Sequence, residues 1–419
     1  MTWLSPAIGE VCLPTSQTDP ARSGAETFRY VDIAGIDRDA KIISRAEVLS
    51  CADAPSRARK LLRVNDVLVS TVRPNLNAVA IVPEELDGEI ASTGFSVLRA
   101  NPALVHPKYL FYRTQHSEFV DFLTTNATGA SYPAVTDGVV KRASLPLATP
   151  LEQGRIVELL DEAARLRRLR RNADAKAARI MPALFLKMFG DPATNPMRWR
   201  TKPLKLVADT SSGGTPNTKE ETYYGGDIPW VKSGELSQRE VTTTEETISE
   251  AGLQNSSTKW VEPNSVLVAM YGATVGQVSM LKIRATTNQA VCAIKMKDGL
   301  RSRYLVELLR LSKTLLLSKR VGGAQPNISQ QIIRDLDIML PSDDLQAVFS
   351  ERADMLEDFL YQVSMAGRRV DGLFHRLLES AFSGQLTAKW RETHMKELLA
   401  EMAQQARALS LPLTLETSV

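Results

Sequence analysis

The chain has 419 residues, 43% of them hydrophobic and 24% charged, which is an ordinary globular composition with room for two to four domains. A formal net charge of +3 gives no chain-wide signal for nucleic acid, so any DNA-binding face must be local. Three widely separated cysteines without a CxxC pair argue against a disulfide framework or a zinc site and fit a reducing, cytoplasmic environment. The sequence shows neither a signal peptide nor an apolar run of about 18 residues, so no membrane span is expected.

Residues 1–150 have a mixed, strand-rich pattern. Short runs of β-branched and aromatic residues predict strands within 28–36, 64–72 and 78–82. A helix is predicted over 107–123, where tyrosine, leucine and phenylalanine recur at helical spacing. Glycine, proline and hydroxyl side chains then predict a loop at 128–136.

A long helical stretch occurs twice, at 153–189 and again, 193 residues later, at 346–382. Apolar residues step by three and four in both copies, which is the pattern of a coiled-coil seam. The first copy places Ile156, Leu159, Ala163, Leu166, Ala173, Ala177, Ile180 and Leu184 in this seam. The second copy places Phe349, Leu356, Phe359, Val363, Ala366, Val370, Leu373 and Leu377 there. We expect the two stripes to bury each other as an antiparallel coiled coil.

Charge supports this pairing, because residues 151–190 hold nine Lys/Arg and five Asp/Glu whereas residues 345–385 hold four and six. A kink is predicted at Pro182, since proline removes a backbone donor. Two unrelated surface helices are the alternative. A proline-rich linker follows at 191–203.

Residues 204–341 repeat the plan of the first domain. The stretch 225–236 parallels 28–36, and 264–269 parallels 65–70. A helix is predicted over 303–317, and the loop 321–329 falls on 128–136 at the same offset, which aligns Ser329 with Thr136. The pattern therefore predicts an α+β protein with a duplicated plan and pseudo-two-fold symmetry. An amphipathic segment at 389–409 is expected to pack on the helix pair or on a partner subunit.

The motifs that accompany catalysis are missing. The sequence contains no GxxxxGK[ST] loop, no GxSxG, no methyl-donor loop and no metal-spaced histidines or carboxylates. A catalytic site in this chain is therefore not expected, and recognition of a ligand by polar loops on a strand framework is the better hypothesis.

The second domain supplies most of the candidate contacts. Glycines and hydroxyls at 211–216 could approach a phosphate, and Asn288 with Gln289 could read adenine in the major groove. An ordinary surface turn is the alternative for the first stretch, and a hydrogen-bonded turn or strand end is the alternative for the second. The candidate DNA-binding residues here are Ser212, Gly213, Gly214, Thr215, Lys219, Tyr223, Lys232, Tyr271, Thr274, Asn288, Gln289, Arg320, Gln325 and Asn327.

The first domain offers candidates in two short stretches and the segment that follows them. They are Arg73, Asn75, Asn77, Ser131, Tyr132 and Lys141. A basic run on the first long helix consists of Arg165, Arg167, Arg168, Arg170 and Arg171. Either it is a solvated face or partner contact, or it lies over a DNA backbone.

Four stretches, taken in this order, resemble the specificity subunit of type I restriction-modification systems. They are GGTPNTKEETYYGGDIPWVKSGEL, GATVGQVSMLKIRATTNQA, GGAQPNISQQII and SAFSGQLTAKWRE. The resemblance covers nearly the whole chain and is strongest over 212–391. The first domain shows it more faintly, because it lacks the Gly-Gly-Thr-Pro turn.

The resemblance implies a non-catalytic subunit with two target recognition domains, each reading half of a split DNA sequence. On that basis the recognition domains are 1–150 and 204–341. The conserved helices are 151–190 and 342–385, 191–203 is the linker and 386–419 the tail. Double-stranded DNA, two methyltransferase subunits and restriction subunits are the implied partners, and S-adenosylmethionine, ATP and Mg are expected on those partners. The repeated helix would be about 55 Å long at about 1.5 Å per residue, a rod able to space two readers by roughly one DNA turn of ~34–36 Å.

Two other interpretations remain. The chain could be a stand-alone DNA-binding regulator that uses the same bipartite reader, or a fragment of a fused single-chain restriction enzyme. The second is less expected, because the chain starts and stops where such subunits do.

Overall fold

A computed structural model describes residues 3–297, 299–318 and 327–410 of the chain. The chain divides into two compact units. Unit 1 comprises residues 1–171 and 366–419, and unit 2 comprises residues 172–365. Unit 1 is therefore built from two separate stretches of the chain, whereas unit 2 is one continuous segment.

Unit 1 contains two four-stranded sheets. Its strands are β1 (Cys12–Leu13), β2 (Thr27–Val31), β3 (Ile36–Asp37), β4 (Ile42–Ile43), β5 (Glu47–Ser50), β6 (Ala58–Leu61), β7 (Val67–Ser70), β8 (Val79–Ile81), β9 (Ile90–Ser92) and β10 (Phe95–Ala100). The sheet orders are β1-β10-β7-β8 and β5-β2-β9-β6, with β3 and β4 forming a separate pair. Short 3-10 helices lie at Ile8–Val11, Pro20–Arg22, Ile33–Gly35, Pro74–Leu76 and Glu84–Leu86.

Strand β7 explains how this unit is layered. All four of its residues are buried, because Val67 and Val69 face a helical core while Leu68 faces the second sheet. A central strand covered on both faces is the expected location for such a continuous apolar run.

The helices of unit 1 depart slightly from the prediction. The helix expected over 107–123 is two helices, α1 (Pro107–Arg113) and α2 (Ser117–Thr125). His116 caps α2 by accepting a hydrogen bond from the Glu118 amide at 3.3 Å. The next helix, α3 (Asp137–Arg142), is capped by Thr136, whose hydroxyl accepts from the Val139 amide at 3.3 Å.

The first long helical stretch is broken in the turn that precedes Pro182, which agrees with the predicted proline kink. Helix α4 covers Pro150–Ala177, and α5 covers Ile180–Phe189. Pro182 lies in the first turn of α5, and because it has no amide hydrogen it cannot continue the helical hydrogen bonds across the break. Gly190 ends α5 with φ = 81°, a left-handed conformation that suits glycine.

Unit 2 repeats the strand plan. Its strands are β11 (Thr201–Pro203), β12 (Ala208–Ser212), β13 (Tyr224–Val231), β14 (Glu240–Val241), β15 (Glu246–Ile248), β16 (Trp260–Val261), β17 (Val266–Ala269), β18 (Val278–Leu281), β19 (Ala285–Thr287), β20 (Val291–Met296) and β21 (Asp337–Met339). Its main sheets have the orders β12-β20-β17-β18-β14 and β15-β13-β19-β16, and β11 pairs with β21. The helices are α6 (Leu204–Val207), α7 (Glu250–Gln254), α8 (Ser302–Leu311), α9 (Lys313–Ser318) and α10 (Gln330–Arg334), with 3-10 helices at Glu221–Tyr223 and Ser233–Ser237.

The main sheets of the two units match in strand order, apart from the additional edge strand β14 in unit 2. This match confirms the predicted α+β fold with an internal repeat. The sheets β5-β2-β9-β6 and β15-β13-β19-β16 each contain one parallel strand pair, which is β2 with β9 in unit 1 and β13 with β19 in unit 2. Ser329 caps α10 as Thr136 caps α3, at the predicted 193-residue offset.

The second long helix, α11, is unbroken from Asp343 to Phe382. In unit 1 its later part runs antiparallel to α4. Thr387, just beyond the end of α11, contacts Glu152 at the start of α4, while Asp371 pairs with Arg167 further along α4 at 2.7 Å. In unit 2 the Phe185 and Phe189 rings of α5 lie 5.5 and 5.3 Å from the Phe349 ring of α11.

Equivalent side chains attach the helices to both units. Gln153 donates to the carbonyl oxygens of Leu104 and Ala148, and Gln346 donates to those of Gly299 and Pro341. The buried Tyr109 ring lies 5.0 Å from Phe382, and Tyr304 lies 4.8 Å from Phe189. The two units therefore share equivalent contacts with the long helices as well as an equivalent strand order.

The predicted seam is correct only in parts. Ile156 and Phe349 are fully buried, but Leu166, Phe359 and Leu373 are about half exposed, and Ala173 is exposed as well. Burial is concentrated where α4, α5 and α11 pack on the rest of each unit, so the apolar stripe alone did not identify which residues are covered.

The tail forms α12 (Ala388–Thr393) and α13 (Met395–Ala408) and packs within unit 1. Glu152 is fully buried and accepts hydrogen bonds from Trp3 at 3.0 Å, Thr387 at 2.6 Å and Arg391 at 2.8 Å. Gln405 donates to the same two carbonyl oxygens that Gln153 contacts. Of the two predicted locations for the tail, the helix pair is therefore the one found.

Phe382→Ala should lower the free energy of unfolding by about 3–5 kcal/mol, because it leaves a cavity beside Tyr109 in the core of unit 1. Phe359→Ala on the same helix removes an exposed ring and should change stability by no more than about 0.5 kcal/mol. Chemical denaturation of the two variants measures this difference. Equal losses of unfolding free energy in the two variants would mean that Phe359 is buried in the predicted seam, which would contradict the observed packing of α11.

Candidate nucleic-acid interface

A cleft of about 480 Å³ in unit 2 brings together predicted residues from four separate segments. Ser212, Tyr271, Gln289 and Asn327 all line it. Ser212 is the last residue of β12, Tyr271 follows β17 and Gln289 lies in the turn between β19 and β20. The chain order separates these residues widely, so the sheet itself assembles the group.

Hydrogen bonds fix Gln289 at the edge of this cleft. The Tyr271 hydroxyl donates to the Gln289 backbone oxygen, and the Thr215 hydroxyl donates to its side-chain oxygen. Burial raises the pKa of the Tyr271 hydroxyl, which keeps it protonated as a donor. Gln289 itself is exposed. A carboxamide with a fixed oxygen and an accessible amide group can recognise a base edge.

Gly213 and Gly214 serve the packing of the protein itself. A Cβ on Gly213 would lie 1.9 Å from the carbonyl oxygen of Thr287, and one on Gly214 would lie 2.3 Å from the Ser257 hydroxyl. The Gly214 amide donates to the Thr287 carbonyl at 3.0 Å. The expectation that these glycines approach a phosphate is therefore corrected for Gly214, whose amide is already used.

Other predicted residues of unit 2 have mixed environments. Lys219 is exposed, whereas Tyr223 and Thr274 are half-buried. The Lys232 amine pairs with Glu246 at 2.5 Å, and this hydrogen bond raises the pKa of the lysine.

The neighbour of Gln289 has a structural role. The Asn288 side chain accepts a hydrogen bond from the Ala290 amide at 3.1 Å, so it stabilises the turn that presents Gln289. Two further candidates, Arg320 and Gln325, lie outside the described residues, as does most of the predicted loop 321–329.

Unit 1 brings its two predicted loops into contact. The Arg73 guanidinium lies over the Tyr132 ring, 4.7 Å from its centroid, and the Arg73 amide donates to the Pro133 carbonyl at 2.7 Å. Tyr132 is 69% exposed, and Ser131 is exposed beside it. An exposed ring with a stacked cation suits contact with a nucleic-acid backbone or base.

The remaining unit 1 candidates separate into accessible and internal side chains. Asn75 is exposed. Asn77 is held inside, because its amide donates to the Thr114 carbonyl at 2.8 Å and its oxygen accepts from Lys41 at 2.7 Å. Lys141 lies on α3 and pairs with Asp137 at 2.8 Å. Asn77 is thus corrected from a contact candidate to a residue that shapes the loop.

Sequence reasoning missed the unit 1 counterparts of Gln289 and Tyr271. The parallel pairs β2 with β9 and β13 with β19 place Thr93 where unit 2 has Gln289. Val72 likewise occupies the place of Tyr271, two residues beyond the end of the equivalent strand. Extending the repeat from the helices into the strands would have located Thr93, which is exposed.

Among residues 3–297, 299–318 and 327–410, no cluster of His, Cys, Asp or Glu could hold a metal ion. Over the same residues, no helix has the length and apolarity needed to cross a membrane.

Gly213→Ala should lower the free energy of unfolding by about 1–3 kcal/mol, because the added methyl group meets the Thr287 backbone. Gly234→Ala is the matched control, since nothing lies within 4 Å of a Cβ at that position. Thermal unfolding of both variants compares them. A fully stable Gly213→Ala protein would argue against the close approach of these two chain segments.

Comparison with known proteins gives a consistent result. Residues 196–364 match the family described as Type I restriction modification DNA specificity domain. The HindI specificity subunit of a type I restriction enzyme from Haemophilus influenzae is 22% identical, over 81% of this chain and 90% of the relative. The MjaIX specificity subunit of Methanocaldococcus jannaschii is 28% identical, over 39% of each chain.

A solved structure extends the similarity along the chain. It belongs to a study of complex assembly and conformational transition in the type I R-M system. It shares 29% identity and a TM-score of 0.59, covering 92% of this chain and 98% of that chain.

Proposed function

Because the chain belongs to the family of type I restriction-modification specificity subunits, we propose that it binds a bipartite DNA sequence and positions methyltransferase and restriction subunits on it. This proposal rests on one observation. The same strand arrangement occurs in both units, but the loops that follow equivalent strands carry different residues. Tyr271 and Gln289 in unit 2 correspond to Val72 and Thr93 in unit 1. Two such readers would each recognise a different half-sequence.

The chemistry of unit 2 suits direct reading of bases. Gln289 can pair with the N6 and N7 atoms of adenine in the major groove, and Ser212 and Asn327 beside it add further polar groups. Exposed Lys219 suits a phosphate contact, which would fix the register without reading sequence. In unit 1 the stacked Arg73 and Tyr132 would form the equivalent surface, together with their exposed polar neighbours.

The long helices carry exposed apolar residues that suit a protein partner. Met355 and Phe359 on α11 are 69% and 53% exposed, and Leu166 and Leu169 on α4 are about half exposed. Exposed apolar groups on adjacent helical positions are typical of interaction surfaces. We assign them to docking of two methyltransferase subunits. S-adenosylmethionine, ATP and Mg would then be bound by the partner subunits, in the cytoplasm.

In this proposal the recognition domains are residues 1–150 and 204–341, and the conserved helices are residues 151–190 and 342–385. Residues 191–203 connect the first helix to the second recognition domain, and residues 386–419 form the tail. Each recognition domain would keep its own sheets and its own loops.

Co-expression and co-purification with a type I methyltransferase subunit from the same genome test the proposal. The complex is expressed in cells and isolated, and its methylated adenines are mapped on genomic DNA by single-molecule sequencing. We expect a stable complex and a split motif with a fixed spacer. A chain that binds a split site but recruits no methyltransferase would instead indicate a stand-alone regulator.

Gln289→Ala should reduce discrimination at one base pair of the second half-site by about 1–3 kcal/mol, while binding to unrelated DNA stays the same. Competition binding with duplexes altered one base pair at a time measures this loss. Gln254→Ala removes a similar carboxamide from helix α7, where it contacts Glu250 at 3.0 Å, and serves as the control. Unchanged discrimination in the Gln289 variant would remove this residue from the recognition surface.

A further inference from the structure

A second, basic cleft of about 470 Å³ lies in unit 1 along helix α4, and we call it the α4 cleft. Two carboxylates line it, those of Asp39 and Asp161. Its cationic lining residues are Lys41, Lys108, Arg165, Arg167, Arg168 and Arg171. Part of the basic run noticed in the sequence therefore lines a concave surface together with lysines from two other segments.

Only part of this positive charge is neutralised. Lys108 pairs with Asp161 at 2.6 Å, and Arg165 pairs with Glu162 at 2.8 Å. A third carboxylate, that of Asp371, pairs with Arg167 at 2.7 Å and reaches Arg171 only at 4.0 Å.

Arg168 forms no ion pair with the residues that the structure describes. Because Arg168 has no such ion pair and Arg171 is only weakly paired, the cleft carries an excess of positive charge.

Lys41 shows the same shortage of anions. Its amine donates to the backbone and side-chain oxygens of Asn77 at 2.6 and 2.7 Å, which are neutral acceptors. Burial lowers the pKa of Lys41 to about 8, with the nearby Arg167 and Arg171 acting in the same direction and Asp39 opposing them. A bound anion would favour the charged lysine.

The α4 cleft continues into the recognition surface of unit 1. A neighbouring cavity of about 550 Å³ shares Asp39 and Lys41 with it and is also lined by Asp37, Arg38 and Asn75. Asn75 lies in the loop that carries Arg73. A DNA backbone that passes this loop can therefore reach the arginines of α4.

We propose that the α4 cleft binds the phosphate backbone of duplex DNA next to the half-site read by unit 1. This inference rests on the proposed function and adds a contact that no base-reading loop provides. Arginine suits this role, since its planar guanidinium binds phosphate oxygens in pairs and stays charged. The contact would strengthen binding equally for all sequences.

The test compares the salt dependence of duplex binding for the full chain and for Arg168→Gln/Arg171→Gln. Each lost phosphate contact should reduce the slope of log affinity against log salt by about 0.9. Lys176→Gln/Arg179→Gln is the matched control, because it removes the same charge from exposed positions of the same stretch that do not line the cleft. We expect a smaller slope only in the first variant, with the same preference for the target sequence.

Equal slopes in all three proteins would overturn the proposal. So would loss of ATP or inorganic phosphate binding in the Arg168/Arg171 variant at an unchanged DNA slope, because the anion would then be a free phosphate compound. If the wild-type chain binds duplex without any sequence preference, the proposed function fails, yet the comparison of slopes still tests the cleft.

A second measurement uses the unmodified chain and so avoids any folding defect of the variants. Lysine acylation followed by mass spectrometry compares Lys41 and Lys108 with Lys176, with and without duplex. DNA should protect Lys41 and Lys108 but not Lys176. Equal labelling of all three with and without DNA would contradict the proposal.

Discussion

Neither unit can complete its apolar core without helical segments from both copies of the repeat. In unit 1 the start of α4 supplies Ile156, and the end of α11 supplies Phe374 and Phe382. In unit 2 the complementary parts are used, since Phe185 comes from α5 and Phe349 from the start of α11. An apolar stripe must be covered, and here each helical stretch covers its stripe in two different cores. The middle of each stretch is left partly exposed, which is where the candidate partner surface lies.

This arrangement separates what holds each unit together from what varies between the two units. Buried residues that attach the helices are repeated, as with Tyr109 and Tyr304 or Gln153 and Gln346. The loops beyond the same strands differ in their side chains. In the proposed function, sequence preference would change through exposed loop residues, while the stability of each unit depends on buried groups that no DNA would contact.

The sequence was sufficient for the fold class, the repeat and the loop at 128–136, because these depend on local patterns. It could not predict which part of the apolar stripe is buried. Leu166 and Ile156 both occupy seam positions of the apolar repeat, but they have different neighbours in the folded chain. It did locate the break in the first long helical stretch, because the effect of Pro182 on the preceding turn is local. The sequence could not predict that four of its candidate residues meet at the unit 2 cleft, because strand order and register bring these distant segments together.

The contact between Glu152 and Arg391 has a consequence for synthesis of the chain. Unit 2 is a continuous segment, so it can fold soon after residue 365 leaves the ribosome. Unit 1 must wait for Phe382 and the tail, although its strands are made first. During translation the apolar surface around Tyr109 and Ile156 therefore stays uncovered while unit 2 is being made, which leaves nascent unit 1 open to aggregation for longer than unit 2.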